Sequence, residues 1–360
     1  MKENNSKKWF DIFLFSFIVC IVITSGITVI IDPYFHFHKP TPGISYRIYE
    51  ERYTNDGIAR HFDYDTVITG TSMTQNFKPS EWDALTGHMT VKLPFSGGSF
   101  QEIGNTLKRA MNYNDRLTTI IWGIDYDSLI RPYDYDGYGD YPEYLYDDNL
   151  FNDVSYVFNK SIFYHGCMTN ITWTLLGTDS TTMDEYSSWD LGYGMDAILR
   201  SYHRSDEIKE MQAGLTEEEK EMVTENIQKN FVDMANENPE ITFYLFYTPY
   251  SIVYWDEQQR EGTMLKQFEA EQIATSLLLT CPNIKLYSYI NDYELICNTD
   301  NYKDKGHYIA KVNSWLLEWM EQGKGLVKED TYRDQIEDNK KFYMNYDYDN
   351  VFEKGSSIEQ

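Results

Sequence analysis

The chain has 360 residues, of which 42% are hydrophobic, and its formal net charge is -26. This length allows one large domain or two small ones, and the hydrophobic fraction is sufficient for a sizeable core. The acidic balance argues against nucleic acid as a partner, because a phosphate-binding surface needs a basic patch and none follows the first few residues.

The N-terminus predicts one transmembrane helix. Residues 12–31 carry no charge, and twenty residues at 1.5 Å each match a hydrocarbon core of about 30 Å. Lys2, Lys7 and Lys8 precede this run, so residues 1–11 should be cytoplasmic and the rest extracellular. A cleaved signal peptide is the alternative, but "ITSGITVIIDP" offers no A-x-A-like site. We therefore favour an uncleaved signal-anchor and a single-pass cell-membrane protein.

A juxtamembrane collar is predicted at 32–60, and it begins with "DPYFHFH". His36 and His38 alternate with Phe35 and Phe37 and could bind a metal ion, but no third ligand is near. An aromatic belt at the membrane interface explains the same residues more simply.

Three cysteines lie outside the membrane run, and no pair of them has metal-ligand spacing. Cys281 and Cys297 could form a disulfide, and three free thiols are at least as compatible with the sequence. No cluster of His, Cys, Asp or Glu has ligand spacing, so neither a metal ion nor another cofactor is expected.

From residue 65 onwards, apolar and β-branched runs alternate with segments of helical spacing. We predict helices at 99–113, 216–238, 261–281 and 307–323, and strands at 65–70, 88–97, 117–125, 241–251 and 283–289. Strands that alternate with helices predict a parallel sheet with helices on both faces, in a domain that spans 61–325.

Two segments do not follow this alternation. Residues 131–205 are rich in Tyr, Asp, Asn and Gly and are interpreted as an insertion. Residues 326–360 are polar and acidic and are expected to form a partly ordered tail. The chain contains 31 tyrosines, whose flat rings with polar tips suit contact with sugars or peptides.

Candidate catalytic residues follow the predicted strands. "GTS" (70–72), "SGG" (96–98) and "GID" (123–125) end the first three strands, and Asp304 and His307 follow the last one. Ligands of open α/β sheets bind outside the carboxyl ends of the strands, and the topology brings these loops to that edge.

These residue types fit nucleophilic catalysis. A serine hydroxyl needs a base within hydrogen-bond reach and a third group that orients the base. Ser72, His307 and Asp304 can take these roles, because a turn puts Asp304 and His307 on one side. The backbone N–H groups of Ser72 and of Gly97 or Gly98 can form an oxyanion hole.

The order of these motifs resembles the SGNH/GDSL hydrolase superfamily. More narrowly, the apolar run, "DPYFHFH", "TGTSMTQNF" and "DKGHY" are similar to membrane-anchored SGNH-like proteins of Gram-positive bacteria, a group similar to DltD-type and alginate-acetylation-type proteins. The resemblance covers 60–130 and 240–320. It implies a flavodoxin-like, three-layer α/β/α sandwich around a five-stranded parallel sheet, with Ser72 as nucleophile and Asp304 and His307 completing the triad.

The sequence departs from the family pattern at two positions. Thr71 stands where the first motif usually has Asp, and Asp125 stands where the third usually has an Asn that donates to the oxyanion. An ionised carboxylate cannot donate a hydrogen bond. Asp125 must therefore point away or be protonated, or another donor such as Asn76 must replace it.

Two functions remain open at this point. The resemblance implies a serine esterase or O-acyltransferase that acts on a cell-surface polysaccharide or teichoic-acid-like polymer, with a membrane O-acyltransferase as partner. The alternative is a non-catalytic module that binds glycan or a partner protein. Each motif alone also has a structural explanation: the Gly-Thr-Ser segment can be an ordinary turn, and Asp304 can cap the last helix.

Overall fold

The computed structural model describes residues 2–137 and 141–356, so parts of the predicted N-terminus, insertion and tail lie outside the described residues. The described chain divides into two compact units. One comprises 2–62 and 141–182, and the other comprises 63–137 and 183–356. The predicted insertion is thus shared between the two units.

The elements are numbered in chain order. The strands are β1 (Thr66–Gly70), β2 (Thr90–Pro94), β3 (Thr119–Ile124), β4 (Thr242–Tyr247) and β5 (Ile284–Tyr287). The α-helices are α1 (Lys2–Ile31), α2 (Glu51–His61), α3 (Pro79–Thr86), α4 (Phe100–Tyr113), α5 (Tyr126–Leu129), α6 (Val154–Val157), α7 (Met168–Leu176), α8 (Met195–Leu199), α9 (Glu217–Ile227), α10 (Asp233–Glu237), α11 (Ile252–Arg260), α12 (Met264–Leu278), α13 (Tyr293–Ile296), α14 (Ala310–Glu321), α15 (Tyr332–Met344) and α16 (Asp349–Ser356). Short 3₁₀ segments lie at Ser72–Thr74, Glu143–Leu145 and Thr299–Asn301, and π-helical segments lie at Ile162–Cys167 and Gln228–Val232.

The five strands form one parallel sheet in the order β2-β1-β3-β4-β5. This is the strand order of flavodoxin-like sheets. In such sheets successive strands are added first on one side of β1 and then, from β3 onwards, on the other. The predicted α/β class and the five-stranded parallel sheet are confirmed. Each strand is shorter than its predicted run, because the ends of each run belong to turns.

Helices cover both faces of the sheet, consistent with the predicted three-layer sandwich. The register places Trp122 and Tyr244 on opposite faces, since side chains alternate along a strand. Trp122 packs against Phe100 and Phe231 on one face, and Tyr244 packs against Trp82 on the other. All positions of β1, β2 and β3 are buried, which explains the apolar runs of β1 and β3. In β2 the buried Lys92 donates through Nζ to the carbonyls of Gln75 and Phe77.

Two helical predictions differ from the structure. The helix expected at 216–238 begins with a capping box between Thr216 and Glu219, but a π-helical segment separates its two parts. The segment expected to be a partly ordered tail forms α15 and α16. Tyr343 of α15 is buried and donates a hydrogen bond to the carbonyl of Ile290 at 2.6 Å, which fixes α15 on the domain.

In the other unit, α1 contains one span, Ser6–Ile31, that is long and apolar enough to cross a membrane. Asp32 follows it with a left-handed φ of 43° and a fully buried side chain. Its carboxylate accepts hydrogen bonds from the backbone N–H groups of His36, Phe37 and His38 at 2.7–3.0 Å. The "DPYFHFH" motif is therefore a turn closed by Asp32.

The expectation of an aromatic belt at the membrane interface is wrong for Phe35 and His36. Phe35 is fully buried, and the ring of His36 is buried with Nε2 2.8 Å from a carboxylate oxygen of Asp153. These side chains form part of the core of their unit because the Asp32 turn directs them inwards.

Replacing Asp32 should destabilise this unit. Asp32→Ala should lower the free energy of unfolding by about 3–5 kcal/mol, because three hydrogen bonds to a carboxylate are lost. Each such bond contributes about 1.5–3 kcal/mol, and rehydration of the freed N–H groups recovers part of the total. Asp32→Asn is the matched control, since asparagine tolerates a left-handed φ and keeps one acceptor oxygen. Denaturant titration in detergent micelles measures both variants, and an unchanged Asp32→Ala midpoint would contradict the role of the carboxylate.

Candidate active site

The end of β1 presents Ser72 at the carboxyl edge of the sheet. Gly70 has a φ of 146°, and a Cβ there would lie 2.6 Å from Cγ2 of Thr74, so only glycine fits. The chain then enters the 3₁₀ turn Ser72–Thr74. Thr71 and Met73 are buried while Ser72 is partly exposed, so the Ser72 hydroxyl remains within reach of a ligand.

Asp304 and His307 lie in a tight turn that precedes α14. The N–H of Lys303 donates to the carbonyl of His307 at 2.8 Å and closes the turn. Asp304 Oδ1 accepts from the backbone N–H groups of Gly306 at 2.8 Å and of His307 at 2.7 Å. Because α14 begins only at Ala310, Asp304 does not cap that helix.

The structure brings Ser72, His307 and Asp304 into one hydrogen-bonded chain. Ser72 Oγ lies 2.7 Å from His307 Nε2, and His307 Nδ1 lies 2.7 Å from Asp304 Oδ2. Burial would raise the pKa of Asp304, but the hydrogen bonds and charge of His307 and the Gly306 N–H outweigh it and lower that pKa. The ionised Asp304 can only accept, so Nδ1 carries the proton and Nε2 faces the serine hydroxyl.

Asp125 is buried and bound to two threonines. Thr71 Oγ1 donates to Asp125 Oδ2, and Thr248 Oγ1 donates to Asp125 Oδ1 at 2.9 Å. Burial raises the pKa of Asp125, and these hydroxyl donors partly oppose that shift. Each carboxyl oxygen of Asp125 therefore has a threonine hydroxyl as hydrogen-bond partner.

The candidate oxyanion donors are reduced to fewer groups. The N–H of Gly98 donates to the carbonyl of Phe95 at 2.8 Å, so it is already used within a turn. Gly97 is exposed with a left-handed φ of 62°. Within the described residues, no acceptor takes the N–H of Gly97 or Ser72. These two N–H groups therefore remain available to an external acceptor.

Trp189 is a site residue that the sequence did not reveal. Its backbone N–H donates to Asn76 Oδ1 at 3.0 Å, and its Nε1 donates to Gln75 Oε1 at 2.5 Å. The indole meets the His307 ring edge to face, with 5.1 Å between centroids. Asn76 was expected as an oxyanion donor. Its amide oxygen accepts the Trp189 N–H, and this hydrogen bond does not involve its amide nitrogen.

Lys303 supports Trp189 from the same turn as the histidine. Its Nζ donates to the carbonyl of Trp189 at 2.6 Å and lies 4.0 Å from the centroid of the indole. Burial lowers the pKa of Lys303 to about 8, although Asp190 and Asp304 oppose this shift. The insertion carries no strand or helix period around Trp189, so only its aromatic content could have drawn attention to it.

Neither a metal centre nor a disulfide is found in the described part of the chain. No three His, Cys, Asp or Glu side chains there are grouped to hold a metal ion. Cys281 and Cys297 are both free thiols, as are Cys20 and Cys167. Of the two alternatives left open by the sequence, the structure shows the unpaired one.

Comparison with known proteins gives little guidance on family. No family model and no curated protein matches the chain. A solved structure described as "a putative platelet activating factor from Streptococcus pneumonia" is similar over 76% of this chain and 91% of that chain. The two are 10% identical in sequence, and the TM-score is 0.39.

The contact between Thr71 and Asp125 predicts that these positions are energetically coupled. Thr71→Asp should place two carboxylates in one buried site, where only one can ionise, and should lower the free energy of unfolding by about 2–4 kcal/mol. Thr71→Asp combined with Asp125→Asn restores the residue pair of the resembled family and should recover most of that loss. Denaturant titration of both single variants and the double variant measures the coupling, and strictly additive effects would refute it.

Proposed function

We propose that the chain is a cell-surface serine esterase or O-acyltransferase that acts on a glycopolymer through an acyl-enzyme on Ser72. The observation that carries this proposal is the hydrogen-bonded chain from Ser72 Oγ through His307 to Asp304 Oδ2, with both distances at 2.7 Å. A non-catalytic module would have no need to align these three groups. The polymer and the acyl group come from the family resemblance alone.

In the first half-reaction, Ser72 Oγ attacks the carbonyl carbon of the acyl donor while its proton passes to His307 Nε2. The carbonyl oxygen becomes an oxyanion, which the N–H groups of Ser72 and Gly97 stabilise. The bond to the leaving oxygen then breaks, and that oxygen takes the proton from Nε2. Asp304 keeps its charge throughout and stabilises the transient imidazolium through Nδ1.

In the second half-reaction, the acceptor hydroxyl attacks the acyl carbon and passes its proton to His307 Nε2. The bond between the acyl carbon and Ser72 Oγ breaks, and the serine oxygen regains a proton from the imidazolium. Water as acceptor gives hydrolysis, and a sugar hydroxyl gives transfer. The Trp189 ring packs edge to face against the His307 ring. We therefore assign Trp189 to the lining of the acceptor-binding site.

The membrane anchorage is the second part of the proposal. The Ser6–Ile31 span has the length and composition of a transmembrane helix, and Lys7 and Lys8 near its start favour a cytoplasmic N-terminus. A catalytic unit held outside the membrane would reach a cell-surface polysaccharide or teichoic-acid-like polymer. A membrane O-acyltransferase as the source of acyl groups follows from the resemblance.

A fluorophosphonate probe tests the nucleophile. The protein should be labelled covalently, and Ser72→Ala should abolish labelling, because Ser72 Oγ lies 2.7 Å from the His307 Nε2 that can activate it. Ser276→Ala is the matched control, since this α12 hydroxyl donates to the carbonyl of Ile273 and lies outside the site. Equal labelling of wild type and Ser72→Ala, or no labelling of either, would favour the non-catalytic module.

The role of Asp304 predicts a loss of rate with little loss of binding. Asp304→Asn should lower kcat for an aryl acetate ester by about 10⁴-fold and leave KM nearly unchanged, because the wrong histidine tautomer would face Ser72. Asp300→Asn neutralises a nearby exposed carboxylate and should have wild-type kinetics. Steady-state assays decide the matter: equal kcat values for Asp304→Asn and wild type would remove Asp304 from the mechanism.

A further inference from the structure

One segment of the unit that contains α1 exposes an unusual number of large apolar side chains. Between residues 150 and 176 seven of them are 56–91% exposed: Leu150, Phe151, Val154, Phe158, Tyr164, Leu175 and Leu176. Isolated exposed apolar residues are ordinary, but a set of this size in one short segment marks a surface that is covered by another phase or molecule.

The segment consists of short helical pieces joined by turns. Phe151 and Phe158 lie in the turns on either side of α6, and Tyr164 lies in the π-helical stretch Ile162–Cys167. Ile162 and Asn170 of the same segment are buried, so its inner side is packed while large apolar side chains project outwards. An ordinary surface helix has a solvated, polar outer side.

The inner side of the segment is fixed to the outer end of the membrane span. The Cys167 thiol contacts the Thr28 hydroxyl, and the Gly166 backbone packs on the Pro33 ring, where a Cβ would lie 2.7 Å from Pro33 Cγ. Thr28 precedes the end of α1 at Ile31 by three residues, about 4.5 Å along a helix. The segment therefore lies level with the last turn of the apolar span.

The charge of the segment fits the same location. The chain contains 57 Asp and Glu residues, yet residues 154–178 contain none. Within 154–178 the one formally charged side chain is the cation Lys160, and the single acidic residue of 150–176 is the buried Asp153. Acidic side chains near an anionic membrane surface are repelled, whereas cationic ones are attracted. A surface built for water in so acidic a chain would be expected to carry carboxylates.

We infer that residues 150–176 form an interfacial membrane element, which lies in the outer boundary of the bilayer beside α1 and buries its exposed apolar side chains among lipid acyl chains. The inference takes α1 as the membrane span, as proposed above. Lipid is the occupant that these observations favour, because the segment packs through Gly166 on Pro33, directly after the apolar span, and residues 154–178 contain no acidic side chain.

Site-directed fluorescence in vesicles tests this element with the full-length protein and no partner. The background carries Cys20→Ser and Cys297→Ser, since Cys167 and Cys281 are buried. An environment-sensitive NBD label is placed at Phe151→Cys or Leu175→Cys, and at Ile208→Cys as an exposed apolar reference outside the acid-free segment. Vesicles of phosphatidylcholine and phosphatidylglycerol carry quenching doxyl groups either near the headgroup or deep in the acyl chain. A further sample keeps Cys20, which is exposed within α1, as the only labelled position.

Labels at 151 and 175 should be quenched by lipid at a depth of about 5–10 Å below the headgroups, with blue-shifted emission, while the label at 208 should stay unquenched. Quenching at Cys20 together with water-like behaviour at 151 and 175 would overturn the inference and assign the surface to a protein partner. Equal quenching at 151, 175 and 208 would also overturn it. An unquenched Cys20 label would overturn both the inference and the proposed anchor, and would leave the chemistry proposed for Ser72 unaffected.

Discussion

The geometry of the site depends on the carboxylate of Asp304. One of its oxygens accepts two backbone N–H groups of its own turn, and the other accepts His307 Nδ1. The same hydrogen bonds that keep the carboxyl ionised also fix the shape of the turn and the orientation of the ring. A change in the turn would therefore alter the tautomer of His307, its distance to Ser72 and the negative charge beside its ring together.

The two departures from the family pattern have one physical explanation. Thr71 and Asp125 would each be unexpected alone, but the structure places them in contact, and Thr248 supplies the second hydroxyl. If Thr71 were the usual aspartate, two buried carboxyls would share one site, and one of them could not ionise. Thr71 instead donates a hydrogen bond to the buried carboxyl of Asp125. This hydrogen bond links the ends of β1 and β3, next to Ser72. The side-chain donor of the resembled family is absent at position 125, so the proposed mechanism assigns stabilisation of the oxyanion to backbone N–H groups.

The sequence predicted the parts of the fold that follow from local periodicity. Most strand positions are buried, the exceptions being Thr242, Tyr244 and the exposed Lys285, and short β-branched or apolar runs identify the strands. The carboxyl-edge rule for parallel sheets then placed Ser72 and His307 on the same side, although 235 residues separate them. The rule could not show that the Gly98 N–H donates to the carbonyl of Phe95, because that hydrogen bond depends on the detailed path of one turn. The position of Trp189 at the site could not be predicted either. The segment around it has no hydrophobic periodicity, so the sequence does not indicate which side chains it contacts.

The tyrosine-rich insertion is where sequence reasoning was least informative, and its two parts differ physically. Residues 183–205 belong to the unit that holds the site and provide Trp189, whose contacts with Gln75 and Asn76 are polar. Residues 141–182 belong to the unit that contains α1 and include the stretch without acidic residues. Composition averaged over the insertion hides this difference, because acidic residues on both sides mask the acid-free centre.

A net charge of -26 keeps a protein soluble, yet it opposes contact with an anionic membrane, so a membrane-facing segment must exclude acids locally. The distribution of charge along the chain thus carries more information about location than its sum.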